Sequence, residues 1–208
     1  MARLPAPASY REGGLMKLRP IALFALIAIA AVIGPPRGQA DINLFGEYWE
    51  NLARAAAQND AARVRLLVES GTNPNQADDQ SRTALHYAAM NGNLQITAIL
   101  IKAKAKLDPK DKLGNTPLHL AADRSQAEVV QLLLDVGVPI DAENKSGMTP
   151  LMIAASRGNI EIVQALLAKG ASVTKTDFTG RDAAGWAAES RRPAVVQAIK
   201  RAQSAKRS

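Results

Sequence analysis

Chemistry in this chain would have to start at its two histidines, because no other imidazole and no cysteine occurs in its 208 residues. His86 and His119 lie 33 residues apart, at the ends of the strings Thr83-Ala84-Leu85-His86 and Thr116-Pro117-Leu118-His119. A zinc site needs three or four converging ligands, and nothing at a ligand-like spacing accompanies either ring. The lack of cysteine also removes thiol nucleophiles and a disulfide framework. Asp78, Asp111 and Asp177 each open a polar segment, where a carboxylate caps its own turn more readily than it acts as a general acid. No phosphate-cradling glycine loop, nucleophile elbow or paired-carboxylate motif is present. These residues give a non-enzymatic chain with no catalytic, cofactor-binding or metal-binding positions. An enzyme or metal protein built on His86 and His119 is the alternative set against it.

Charge offers a second kind of chemistry. The formal net charge is +7, but Arg3, Arg11, Lys17, Arg19 and Arg37 against the single acid Glu12 place more than half of it in the first 40 residues. The rest of the chain is only mildly basic, which says little about partners. Its densest stretch is Lys102, Lys104, Lys106, Lys110 and Lys112. That run is a solvated edge, or a contact for an anionic partner or membrane surface. No aromatic residue is interleaved with it, so a stacking platform for nucleic acid is missing and no nucleic-acid partner is expected.

Elements that could position any of these residues must be built from small and aliphatic side chains, since hydrophobic content is 47% and aromatic content 4%. Such a composition favours closely packed helices over sheets. A fixed period then organises them. Ala-Ala pairs begin at Ala55, Ala88, Ala121, Ala154 and Ala187, a step of 33 residues with no insertion. Thr83, Thr116 and Thr149 keep the same step, as do Leu52, Leu85, Leu118 and Leu151. Each unit reads as two short helices. Thr116-Pro117 is a helix start, with a hydroxyl cap and proline at the first helical position. The Ala-Ala pair lets neighbouring first helices approach, Gly92 and Gly158 turn the chain, and a stripe such as Val129-Val130-Gln131-Leu132-Leu133-Leu134 forms the second helix. Gly71, Gly137 and Gly170 close it. Ser125 and Arg191 replace the turn glycine and Lys104 the closing one, which marks these three places for local strain.

The string Gly114-Asn115-Thr116-Pro117-Leu118-His119-Leu120-Ala121-Ala122, with its weaker copies at Thr83 and Thr149, resembles the signature of the ankyrin repeat family. The resemblance implies an all-α solenoid of five helix-turn-helix units with β-hairpin-like loops along one edge. The units fall at about 45–77, 78–110, 111–143, 144–176 and 177–205 within a domain of residues 41–208. The signature is degraded in the first and last units, as capping repeats require. The family also gives the signature histidine an ordering role at the helix start.

By that resemblance the chain binds another protein through loop tips and the exposed, concave side of the first helices. Carried over column by column, the candidate protein-binding residues are Asp79, Gln80, Arg82, Met90 and Asn91 in the second unit and Lys112, Leu113, Asn115, Asp123 and Arg124 in the third. Lys145, Met148 and Arg157 follow in the fourth unit, and Phe178 and Arg181 in the fifth. Leu113, Met148 and Phe178 are apolar residues in loops that face water, with arginines around them, the composition of an interface centre and its rim.

A leader completes the sequence reading. Lys17 and Arg19 precede an unbroken apolar run from Ile21 to Ile33, then Gly34-Pro35-Pro36 and the small-residue site Gly38-Gln39-Ala40. This order marks residues 1–40 as a secretory signal peptide with cleavage after Ala40, and Met16 as a natural start for it. The run falls short of the roughly 20 residues that span a bilayer, so membrane association is expected only if the segment is retained. The resulting expectation is an exported adaptor or scaffold, periplasmic or secreted. Its alternatives are an inhibitor or immunity protein for a periplasmic enzyme or toxin, and a membrane-tethered scaffold.

Overall fold

The computed structural model describes residues 52–205, so the leader and its cleavage site lie outside the described residues. Within them are ten helices and a single isolated bridge, Ala77 to Thr83. The first helices of the units are α1 (Leu52–Ala57), α3 (Ala84–Asn91), α5 (Pro117–Asp123), α7 (Pro150–Arg157) and α9 (Ala183–Glu189). The second helices are α2 (Ala61–Glu69), α4 (Leu94–Lys102), α6 (Ala127–Asp135), α8 (Ile160–Ala168) and α10 (Pro193–Ala205). Each helix packs against its partner in the unit and against the equivalent helix of the next unit, which makes two layers. The β-hairpin-like character expected of the loops reduces to tight turns and that one bridge.

Short helices such as these owe little to propensity and much to capping and burial. Thr83, Thr116, Thr149 and Asp182 sit extended at the N-caps of the first helices. Asp60, Asn93 and Asn159 cap second helices by accepting from Arg63, Ile96 and Ile162 N–H. Both alanines of each interior pair are fully buried. In α3 they face opposite ways. Ala88 joins a cluster with Leu52, Leu85, Ile96 and Leu100, while Ala89 joins the larger cluster that runs from Leu118 to Ile199. Leu107, itself only partly buried, packs against both clusters and links them.

Three columns of left-handed residues bend the chain once per turn. Asn59, Gly92, Ser125, Gly158 and Arg191 end first helices, Gly71, Lys104, Gly137 and Gly170 end second helices, and Ser81, Gly114, Gly147 and Gly180 form the loop tips. Lys104, Ser125 and Arg191 have φ of 59°, 59° and 55°. A side chain in this region costs about 1–2 kcal/mol, partly offset by the chain entropy that glycine would lose. Lys104→Gly and Ser125→Gly are each expected to stabilise the chain by about 0.5–1 kcal/mol, read as a higher urea midpoint with an unchanged slope.

Candidate functional site

The loops between units are set by one residue each. Asp78, Asp111, Asn144 and Asp177 aim Oδ1 at two backbone N–H groups, two and four residues on, at 2.8–3.0 Å. The second side-chain atom meets a different partner from unit to unit, according to the residue in the column Tyr87, Leu120, Ile153 and Trp186. Asp78 Oδ2 accepts from the Tyr87 hydroxyl and Asp177 Oδ2 from Trp186 Nε1 at 3.0 Å. Leu120 and Ile153 have no donor. Asp111 Oδ2 therefore faces Arg82 Nε of the preceding unit at 3.5 Å, both atoms buried and without a shorter partner. Asn144 donates to Asn115 Oδ1 at 2.9 Å. Burial works against the Asp78 and Asp177 charges, but the surrounding donors outweigh it and hold both carboxyls below the usual value. They are ionised turn anchors and not proton donors at neutral pH.

The histidines are joints between units. Thr83 N–H donates to His86 Nδ1 at 3.1 Å, and His86 Nε2–H donates to the Asn115 carbonyl of the next unit at 3.1 Å. His119 repeats the arrangement with Thr116 N–H at 3.1 Å and the Met148 carbonyl at 3.0 Å. Both rings are fully buried. Burial lowers the pKa of each, that of His119 to about 4, so both are neutral in the fold with the proton on Nε2. Every lone pair and proton of these rings is thus committed to structure. Met152 and Gly185 take the histidine column in the last two units, and there the cap residues Thr149 and Asp182 bind the helix start alone.

Loop tips are stitched by one backbone bond per junction. Lys112 N–H donates to Gln80 O, Lys145 N–H to Leu113 O and Phe178 N–H to Ser146 O, at 3.0, 3.0 and 3.2 Å. At two of the tips, Gly114 and Gly147, glycine is required by contact as well as by φ. A Cβ on Gly114 would stand 2.8 Å from Lys145 N, and one on Gly147 would stand 2.8 Å from the Phe178 ring. The tips thus form a connected edge on which side chains project at a regular spacing.

On this edge Asp79, Gln80, Lys112, Leu113, Lys145 and Phe178 are exposed, with Leu113 at 62% and Phe178 at 77%. Met148 differs from expectation. It is half-buried against the main apolar cluster and its carbonyl holds His119, because the Asn144 turn folds it inward. The large apolar side chains left exposed on this edge are therefore Leu113 and Phe178. Below them, Asn91 Nδ2 donates to the Ala56 and Ala57 carbonyls and so closes the preceding first helix. Gln126 does the same for the carbonyl of half-buried Met90. Arg82 pairs with Asp111, Arg157 with Asp123, and Arg181 with Glu189 while lying 4.8 Å over the Trp186 ring. Arg124 is exposed beside Asp123 at 3.7 Å, and Asn115 is half-buried in its bond with Asn144. The column Tyr87, Leu120, Ile153 and Trp186 was not singled out by sequence. Its 33-residue step, one position after the histidine column, carries the signal that would have found it.

Two layers of paired helices, stepped at a fixed period and joined by stitched turns, define a helix-pair solenoid, in which the buried histidines and the turn carboxylates Asp78 and Asp177 are bonded within the repeat array. A family model of ankyrin repeats, three copies long, matches residues 52–144 and 136–206, and the chain belongs to the ankyrin repeat family. Ankyrin repeats are protein-interaction modules and are generally non-enzymatic. Among curated relatives, the human ankyrin repeat domain-containing protein 39 is 33% identical over 79 residues, 38% of this chain and 41% of that protein. The serine/threonine-protein kinase 12 of Arabidopsis thaliana is 38% identical over 55 residues, 26% of this chain and 12% of that one. The potassium channel AKT1 of the same plant is 35% identical over 69 residues, 33% of this chain and 7% of the channel. The chain covers less than half the length of each of these relatives.

Proposed function

We propose that this protein is an exported adaptor that holds a protein partner along its loop tips and first-helix layer. The observation that carries the reading is the pair Leu113 and Phe178, large apolar side chains left exposed on a loop edge that is otherwise rigidly bonded. Burying them against a partner supplies the favourable free energy. The exposed Lys112 and Lys145 beside them suit a partner with carboxylates around its contact. Preorganised tips lower the ordering cost of binding.

Export rests on the sequence of the leader, with Lys17 and Arg19 before the Ile21–Ile33 run and the small-residue site ending at Ala40. Intact-mass measurement of the protein recovered from the periplasmic fraction of its host tests both halves together. A chain beginning at Asp41 with a stoichiometric companion protein is the expected outcome. An uncleaved chain in the cytoplasm or membrane would end the export half, and a processed chain without a companion would end the adaptor half.

A further inference from the structure

The second-helix layer carries a concavity that the loop edge does not use. A groove of about 380 Å³ is lined by Leu94 of α4, by Ala127, Glu128 and Gln131 of α6, and by Glu161, Ile162 and Ala165 of α8. Its origin lies in one column of the repeat. Leu94, Ala127 and Ile160 are equivalent positions at successive second-helix starts, and the alanine between two large neighbours leaves the gap. Leu94, which lines the groove, is 38% exposed, and Ile160, next in sequence to the lining residue Glu161, is 36% exposed.

Its charge is one-sided. Glu128 and Glu161 are exposed, one repeat apart on adjacent helices, and neither has an ion-pair partner among the described residues. Other acids of neighbouring units are neutralised across the junctions, Asp135 by Lys169 and Glu143 by Lys175. First-turn carboxylates suit the helix dipole, but that role needs neither a groove between them nor apolar walls. An apolar trough rimmed by two uncompensated carboxylates is complementary to a helix that presents aliphatic side chains flanked by lysine or arginine.

We infer that this groove is a second docking surface, for a basic amphipathic helix of another protein, on the layer away from the loop tips. A module with a lysine-bearing edge on one layer and an acid-rimmed groove on the other can hold two partners of opposite charge at once. The test uses the ¹⁵N-labelled chain and two synthetic 18-residue amphipathic helices, identical in their leucine face and carrying either lysine or glutamate on the polar face. Addition of the lysine peptide is expected to shift the amide signals of Leu94, Ala127, Gln131, Ile162 and Ala165. The apparent affinity is expected to fall at least tenfold in E128K/E161K and by a smaller factor in E128Q/E161Q, whose charge is removed without reversal. Thermal melts of both variants show whether the fold is kept, and the glutamine pair stands in if the lysine pair unfolds. Equal response to the glutamate peptide, shifts confined to Leu113 and Phe178, no response at all, or unchanged affinity in the folded variants would each overturn the inference. The loop-edge reading is tested separately, by substitution of Leu113 and Phe178, so failure of one reading is distinguishable from failure of the other.

Discussion

Lowering the pH from 7 to 4 is expected to remove on the order of 3 kcal/mol of stability through His119 alone. The ordinary histidine value is 6.5, and burial holds this ring at about 4 in the fold. Between those values the unfolded chain binds a proton that the folded chain refuses, so stability falls as pH falls. The contribution is complete above pH 6.5, declines through the window, and is lost once the folded ring protonates near 4. Each unit of difference corresponds to about 1.4 kcal/mol. His86 acts in the same direction, because its pKa is also lowered by burial. The carboxylates held low by their partners, Asp78, Asp135, Glu143 and Asp177, contribute only as pH drops below their ordinary values of 3.8 and 4.5. The histidine effect therefore stands alone above about pH 5, and the carboxylates join it only at the acid end of the range. Urea unfolding at intervals from pH 7 to 4 reads the slope. The double variant H86Q/H119Q is expected to be less stable at pH 7, since the Asn115 and Met148 carbonyls lose their cross-unit donors. It is also expected to be nearly flat between pH 6.5 and 5. A wild-type curve already flat over that interval would show that the rings are not the neutral joints described above.

Much of this is legible in the sequence. A fixed 33-residue step places Ala88/Ala89, Thr116-Pro117 and Leu133 in equivalent roles by arithmetic, and burial of the alanine pairs follows from the need to stack neighbours. The left-handed sites at Lys104, Ser125 and Arg191 were readable because glycine occupies their columns elsewhere. Pairings across units were not. Whether Asp111 Oδ2 meets an aromatic donor or Arg82 depends on the residue nine positions later, Leu120 in this unit, where Tyr87 and Trp186 supply donors in others. Met148 illustrates the same limit. Its type suggested an exposed anchor, but the Asn144 turn tucks it against the core. The groove at Ala127 was hidden because alanine is neutral in any helix pattern, and only its large neighbours one repeat away make it a gap.

Serine at both Leu113 and Phe178 is expected to weaken partner binding on the order of a hundredfold, by removal of two apolar anchors of about 2 kcal/mol or less each. The fold should scarcely notice. Both side chains are exposed, and a surface change of this kind stays within about 0.5 kcal/mol. Arg82, Arg157 and Arg181 make poorer test positions, because each is tied to an acid of the same chain and its removal disturbs that acid. The measurement that tests the binding edge most directly is the affinity of the purified companion protein for the wild-type chain and for Leu113→Ser/Phe178→Ser, with melting temperatures taken alongside. Affinity weakened on the order of a hundredfold with an unchanged melt is the expected result. Equal affinity from two equally stable proteins would contradict it and remove the loop edge as the site of interaction.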